Sequence, residues 1–219
     1  MTEIGQNIWL GLTTSTWLDQ LNLVLGLVGV GLMIRRTLWA FPVGLAAVSV
    51  QGVLFYRSGF PADATLQVFF FVTLAWGWWH WVKDRGAAPE LPVTTLSPRG
   101  LALALLGAGA ATAGWALLVA PRLHSVMPWR DAFIAMFSVA AQVLQARKKL
   151  ENWPLWIVVN LVAVASYWSA ALAFTALLYL IYLGMAFAGW FAWSRAEVGP
   201  VSGRPGQSKT GPTAERAVR

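Results

Sequence analysis

Seven long apolar runs, separated by short polar segments, constrain the fold of this 219-residue chain more than any other feature. Each run is close to the roughly 17–25 residues that a helix needs to cross a lipid bilayer. The runs cover residues 18–34, 38–56, 62–82, 100–120, 131–146, 153–170 and 173–193. The sequence therefore predicts an all-α polytopic membrane protein with seven transmembrane helices and no separate soluble domain.

The flanking segments predict where the membrane domain begins and ends. Residues 1–17 are expected to form a short extracytoplasmic segment, and residues 18–194 to form one domain of seven helices. Residues 195–219 are rich in Gly, Pro, Ser and charge, which predicts a disordered cytoplasmic tail. The first run is too long, and too poor in preceding positive charge, for a cleaved signal peptide.

The Lys and Arg residues are distributed unevenly over the predicted loops. Of the 16, thirteen fall after the first, third, fifth and seventh runs, and three fall on the opposite side. Positive residues accumulate on the cytoplasmic side of membrane proteins, so the N-terminus is predicted outside and the C-terminus inside. The net charge of +7 then indicates topology and attraction to anionic lipid rather than binding to nucleic acid.

The middle of every run lacks Asp, Glu, Lys and Arg. Proton- and voltage-coupled machines normally carry charge there. No nucleophile–base pair or metal cluster is visible, and the absence of Cys removes thiolate chemistry. We therefore expect no enzyme, cofactor or metal site, but a passive carrier of an uncharged or weakly cationic molecule. A phosphorylated substrate would find no interior Arg or Lys to pair with.

The sixth run carries the strongest candidate for a binding surface. It begins with Pro154 in its first turn, where a missing N–H costs nothing. Trp153, Trp156 and Asn160 follow at spacings of three and four, so they share one helix face. Large rings beside a single amide would suit a flat small molecule with polar edges.

Amides and tyrosines on other runs complete the predicted site. An unpaired buried amide is costly, so such residues are expected to converge on a shared cavity or to bridge helices. The candidate substrate-binding residues are Trp153, Trp156, Asn160, Gln67, Gln142, Tyr179, Tyr182 and Asn22. By contrast, the tryptophans at the run ends are predicted to form an interfacial belt. These are Trp76, Trp79, Trp81, Trp190 and Trp193.

Two parts of the chain resemble each other. Residues 77–81 and 189–193 close the third and seventh runs with similar Gly and Trp patterns, and Leu38-Trp39 resembles Leu155-Trp156 near the start of the sixth run. This predicts a 3+1+3 parallel repeat, with repeat one at 18–82, a connector helix at 100–120 and repeat two at 131–193. Transporters built from repeats place their substrate between the halves.

The motifs together resemble the Pnu family of bacterial vitamin transporters, whose type member carries nicotinamide riboside. The resemblance rests on residues 146–156 with Asn160, on residues 39–44, on residues 64–67 with the aromatics after them, and on residues 177–179. These motifs are spread from about residue 35 to residue 193. The Trp-x-x-Trp pair of the family corresponds to Trp153 and Trp156.

The resemblance implies a fold similar to the sugar-transporting SWEET proteins, in the bacterial cytoplasmic (inner) membrane. It implies vitamin uptake by facilitated diffusion for NAD biosynthesis, made directional by a cytoplasmic kinase that phosphorylates the vitamin. Homo-oligomers, including trimers, are also implied. Relatives carry thiamine or riboflavin, so the vitamin stays open. There are two alternatives. The first is a sugar carrier, and the second is a membrane receptor or scaffold in which the amides only lock helices together.

Overall fold

A computed structural model describes residues 5, 6, 9, 11, 13–123 and 127–196. Between residues 17 and 196, the described chain forms seven α-helices. They are α1 (Trp17–Ile34), α2 (Ala40–Arg57), α3 (Pro61–Asp84), α4 (Pro98–Gly114), α5 (Pro128–Ala146), α6 (Asn152–Ser169) and α7 (Ala173–Ser194). A π-helical turn (Trp115–Val119) and a 3-10 turn (Ala120–Leu123) extend α4. The predicted all-α fold is confirmed, whereas most of the predicted tail lies outside the described residues.

The helix ends follow from local sequence signals. The Thr16 side chain accepts a hydrogen bond from the Asp19 backbone N–H, while the Asp19 carboxylate accepts one from the Thr16 N–H, which forms a capping box at α1. Proline occupies the first turn of α3, α4 and α5, where its missing donor leaves no hydrogen bond unmade. The ends of each predicted run agree with the ends of one helix to within about three residues, when the π turn is counted with α4.

Four helices are long and apolar enough to cross a membrane by length and composition: α1, α2, α7 and α4 with its π turn. The other three helices, α3, α5 and α6, contain more Trp, Gln, Asn and charged residues, which lower their mean hydropathy. Two of these three, α5 and α6, supply many of the polar groups in the centre of the bundle. The chain is therefore a multi-pass membrane protein, and two of its less apolar helices contribute polar groups to the centre of the bundle.

Six of the helices pack in a closed ring. Each of α1, α2, α3, α5, α6 and α7 contacts the next in that order, and α7 returns to α1. Among the described helices, α4 packs on α5 alone. The ring therefore encloses the central space, and α4 lies outside it.

Equivalent backbone features recur 112 residues apart. Helices α2 and α6 are both 18 residues long and begin at Ala40 and Asn152. Arg36 and Lys148, which precede these helices, both adopt positive φ, at 57° and 52°. This spacing matches Leu38 with Leu150, whereas Leu155-Trp156, which resembles Leu38-Trp39 in sequence, lies five residues further along.

Trp81 and Trp193 are also 112 residues apart, and each links a helix that precedes α4 to a helix that follows it. The Trp81 indole N–H donates to the Ala146 carbonyl oxygen at 3.0 Å, and the Trp193 N–H donates to that of Met33 at 3.2 Å. Both rings are almost fully buried, at 2% and 0% exposure. Their prediction as interfacial belt residues was wrong, because position along a run gives the depth of a residue but not the side of the helix.

Candidate substrate cavity

A cavity of about 730 Å³ lies inside the helical ring. At one end its wall includes Gln20, Ser58 and Phe60, which are exposed. At the other end its floor includes Met33 and Trp153, which are both buried at 2% exposure. The cavity therefore opens at one end of the bundle, which we call the mouth end, and is closed towards the opposite end.

The wall of the cavity is largely apolar and nearly free of formal charge. Among the described residues that line it, Asp19 at the mouth is the one charged side chain. Its carboxylate already accepts hydrogen bonds from the Thr16 N–H at 2.8 Å and the Thr16 hydroxyl at 2.6 Å. Below the mouth, a ligand would meet rings, amides and aliphatic side chains. Cavities that bind small molecules commonly combine an apolar wall with a few placed polar groups.

Trp156 and Asn160 lie one helical turn apart on α6 and both face the cavity. The Asn160 side-chain N–H donates to the Trp156 carbonyl oxygen at 2.8 Å, which leaves the amide oxygen of Asn160 available as an acceptor. The Trp156 indole N–H donates to Gln145 Oε1 at 2.9 Å. Gln145, on α5, therefore fixes the orientation of the Trp156 ring, and it also lines the cavity with its amide nitrogen left as a donor.

Three further amides line the same cavity. Gln142, one turn before Gln145 on α5, is buried at 7% exposure, and its side chain makes no hydrogen bond to another described residue. Asn22 on α1 donates through Nδ2 to the side-chain oxygen of Gln51 on α2. This bond leaves the Asn22 oxygen and the Gln51 nitrogen for other partners. The amides thus offer both donors and acceptors from four helices.

Tyr179 and Tyr182 of α7 complete the wall. The Tyr179 ring stacks on that of Tyr167, with centroids 5.2 Å apart. Tyr182 lies so close to Gly26 that a Cβ at that position would collide with its hydroxyl group. Gly26 therefore leaves room on α1 for the hydroxyl group of Tyr182.

Trp153 lies on the floor of the cavity, where its ring packs among other aromatic residues. It meets Trp193 edge-to-face at 5.4 Å, and Trp81 packs between Trp193 and Phe41, at 5.9 and 5.0 Å between ring centroids. We call Phe41, Trp81, Trp153 and Trp193 the aromatic plug. Because these rings come from α2, α3, α6 and α7, the plug closes the bundle beneath the cavity.

The structure brings seven of the eight predicted residues to one cavity and places the eighth elsewhere. Gln67 does not line it. This residue packs against Gly52 and lines a shallow groove between α2 and α3 on the outside of the ring. Three amides absent from the predicted site also line the cavity: Gln51, Gln145 and, at the mouth, Gln20. Gln145 follows Gln142 by three residues, so helical spacing places both on one face.

The described residues contain no group of three or more His, Cys, Asp or Glu side chains close enough to hold a metal ion. The residues that line the cavity can bind a small molecule through stacking, amide hydrogen bonds and apolar contact. A bundle of membrane helices around a central cavity that opens at one end defines a small-molecule transporter.

The family follows from comparison with known proteins. Residues 16–195 match the family described as Nicotinamide mononucleotide transporter, and the chain belongs to that family. The resemblance to the Pnu vitamin transporters is thereby confirmed.

Individual relatives have names that refer to two vitamins. The chain is similar to the riboflavin/roseoflavin transporter RibM of Streptomyces davaonensis, with 30% identity over 84% of this chain and 89% of the relative. It is also similar to the nicotinamide riboside transporter PnuC of Escherichia coli, with 26% identity over 81% and 85% of the two chains. The family and these relatives are transporters rather than enzymes.

A solved structure shares the fold. The crystal structure of the vitamin B3 transporter PnuC superimposes with a TM-score of 0.67 at 23% identity, covering 88% of this chain and 87% of the other. Membership of this transporter family and its helical fold are therefore established.

Proposed function

We propose that this protein carries nicotinamide riboside across the bacterial cytoplasmic membrane by facilitated diffusion. The observation that carries the proposal is the cavity itself, in which Trp156 and five amides surround a space with no formal charge below the mouth in the described chain. The flat pyridinium cation would stack on Trp156, a contact of about 0.5–2 kcal/mol. Its carboxamide and ribose hydroxyls would bond to the amides and to Tyr179.

The chemistry of the cavity favours the riboside over its phosphorylated form. A phosphate group binds most strongly to Arg, Lys or clustered backbone N–H groups. The described residues that line the cavity include no Arg or Lys. A cytoplasmic kinase that phosphorylates the transported riboside would therefore produce a molecule that this cavity rejects, so uptake would continue in one direction.

Riboflavin is the second candidate substrate. The observation that favours it is the 30% identity to a transporter whose name gives riboflavin and roseoflavin. A neutral ring system would also tolerate a cavity without formal charge. Nothing in the cavity residues or in the relatives described above favours a sugar or thiamine over these two vitamins. A scaffold without transport would have no use for an open cavity of this size.

We propose that transport occurs by alternating access between two triplets, α1–α3 and α5–α7, with α4 as the connector. The 112-residue register of α2 with α6, of Arg36 with Lys148 and of Trp81 with Trp193 supports this parallel repeat. The 13-to-3 distribution of Lys and Arg supports a mouth that faces outward and a C-terminus in the cytoplasm. Assembly into homo-oligomers such as trimers is part of the same proposal.

Uptake into proteoliposomes tests this mechanism. With the membrane potential clamped near zero, labelled nicotinamide riboside should equilibrate across the membrane without exceeding the outside concentration, and unlabelled riboside inside should accelerate exchange. A proton gradient imposed in either direction should leave the rate unchanged, because the described cavity has no Asp, Glu, His, Lys or Arg below Asp19. Accumulation driven by the proton gradient would contradict uniport, and absence of flux would contradict transport of the riboside.

Gln145 is expected to act on the ligand partly through Trp156. We expect Gln145→Leu to weaken riboside binding about three- to tenfold, since it removes one hydrogen bond that orients the ring and one donor. In a Trp156→Phe background, which already lacks the indole N–H, Gln145→Leu should reduce the affinity for the riboside by a clearly smaller factor. Gln145→Glu keeps the acceptor for the indole and should bind better than Gln145→Leu. Equal, additive losses in both backgrounds would show that Gln145 acts independently of Trp156.

A further inference from the structure

The end of the bundle opposite the mouth carries a second group of contacts that ligand binding does not use. The segment between α3 and α4, residues 85–97, lies against the loop between α5 and α6. Thr94 N–H donates to the Lys148 carbonyl at 3.2 Å, and Leu150 N–H donates to the Thr94 carbonyl at 2.9 Å. The Glu151 carboxylate accepts a bond from Leu96 N–H at 2.7 Å. This segment, which we call the strap, is thereby fastened to the second triplet.

Glu90 of the strap contacts a cation from each triplet. Arg36, in the loop between α1 and α2, approaches both carboxylate oxygens of Glu90 at 3.3 Å. Lys148, in the loop between α5 and α6, approaches the same carboxylate at 3.5 Å. Arg36 and Lys148 both have positive φ and occupy equivalent positions in the 112-residue register, as do Gly59 and Ala171 at the other end of the bundle. The Glu90 carboxylate therefore contacts equivalent residues of the two triplets at the same time.

Lys148 is unusual for a lysine because its side chain is fully buried. Its ammonium group lies 4.3 Å from the centroid of the Trp81 ring, which belongs to the aromatic plug and to the first triplet. Burial lowers the pKa of Lys148, and the negative charge of Glu90 opposes that shift. A buried ammonium group loses hydration and needs a partner, so separating it from Glu90 would be costly unless water could reach it. The contact of Lys148 with Trp81 therefore joins the two triplets at the closed end of the bundle.

We infer that Glu90 is a positioning residue of the transport cycle, which holds the two triplets together beneath the cavity and must release them before the substrate can leave at that end. This inference rests on the proposed alternating access. When the triplets separate, Arg36 and Lys148 move apart, and one carboxylate can no longer contact both. Because the strap is fastened to the second triplet, Glu90 would keep Lys148 and lose Arg36, and water would replace the contact with Arg36.

Distance measurements between spin labels test the inference in the full chain. The protein contains no Cys, so labels at Arg35→Cys and Arg147→Cys would be unique. Both residues are exposed and lie at equivalent positions beside Arg36 and Lys148. In Glu90→Gln, we expect the ratio of separated to closed triplets to rise roughly tenfold, since the change removes the charge that favours one of two states.

Asp84→Asn is the matched control, because Asp84 lies at the same end but pairs with His80 of its own helix at 2.8 Å. Arg36→Met is the second variant and should shift the distances in the same direction as Glu90→Gln. In uptake, Glu90→Gln should weaken the apparent affinity for outside riboside, and Asp84→Asn should not. Distances in Glu90→Gln and Arg36→Met that match the unaltered labelled protein would overturn the inference. A labelled protein that transports nothing and shows one distance with or without riboside would instead contradict alternating access.

Discussion

Replacing Trp156 by Ala should reduce the affinity for nicotinamide riboside by roughly 5- to 150-fold, which corresponds to the about 1–3 kcal/mol that a base gains by stacking on an aromatic side chain. Trp156 offers a ring to the cavity, held by its bond to Gln145. The change also leaves the Gln145 amide without that partner. Calorimetric titration of purified protein with the riboside measures the effect.

Trp168→Ala is the control for that substitution. Trp168 lies on the same helix but is 59% exposed on the outside of the bundle and does not line the cavity. Trp168→Ala should therefore leave the affinity for the riboside unchanged. If Trp156→Ala and Asn160→Ala both bind the riboside as tightly as the unaltered protein, the site is not in this cavity.

Gly189→Ala should destabilise the protein, although the same change in an open helix position is usually neutral or stabilising. A Cβ on Gly189 would lie 2.5 Å from three ring atoms of Trp153. The Trp153 ring packs edge-to-face on Trp193 and is buried, so it could yield to the added methyl group only by moving towards the cavity. Overpacking of this kind costs about 1–3 kcal/mol, which lowers the midpoint of thermal unfolding by several degrees. Because Trp153 forms the cavity floor, riboside affinity should fall as well.

Gly184 provides the comparison for Gly189, since both lie on α7 and nothing lies within 4 Å of a Cβ built on Gly184. Gly184→Ala should keep or raise the midpoint of thermal unfolding, so the two substitutions should have opposite signs. A melting temperature for Gly189→Ala at or above that of the unaltered protein would show that the plug accommodates extra volume, contrary to the close packing described above.

Much of the fold could be predicted from the sequence because bilayer thickness fixes the length of apolar helices. The α1 and α7 runs were placed within one residue of their observed ends. What the runs could not show is which side of a helix faces the centre. Trp79 and Trp81 differ by two residues, yet one is 55% exposed and the other 2% exposed. Near-uniform hydrophobicity leaves little periodic signal from which to orient such a helix.

The site was predictable where a helix face repeats its chemistry. Trp156 and Asn160 share a face by spacing, and the same rule applied to Gln142 would have added Gln145. Gln67 differs, because it lines a groove on the outside of the ring. The position of a residue along a run gives its depth in the membrane, but it does not show whether the side chain faces the cavity or the outside. The strap was not predicted, since its contacts join Glu90 to Arg36 and Lys148, which are 54 and 58 residues away. Such contacts depend on the tertiary arrangement of the helices.

The most direct test of the account is calorimetric titration of the purified protein with nicotinamide riboside, riboflavin, thiamine and nicotinamide mononucleotide. We expect saturable binding of the riboside and little or no binding of the mononucleotide, because the described cavity has no Arg or Lys for its phosphate group. Binding of riboflavin in place of the riboside would keep the cavity and replace the substrate. Binding of the mononucleotide as tight as that of the riboside, or no binding of any of the four, would contradict the central claim that an uncharged cavity of rings and amides selects an unphosphorylated vitamin.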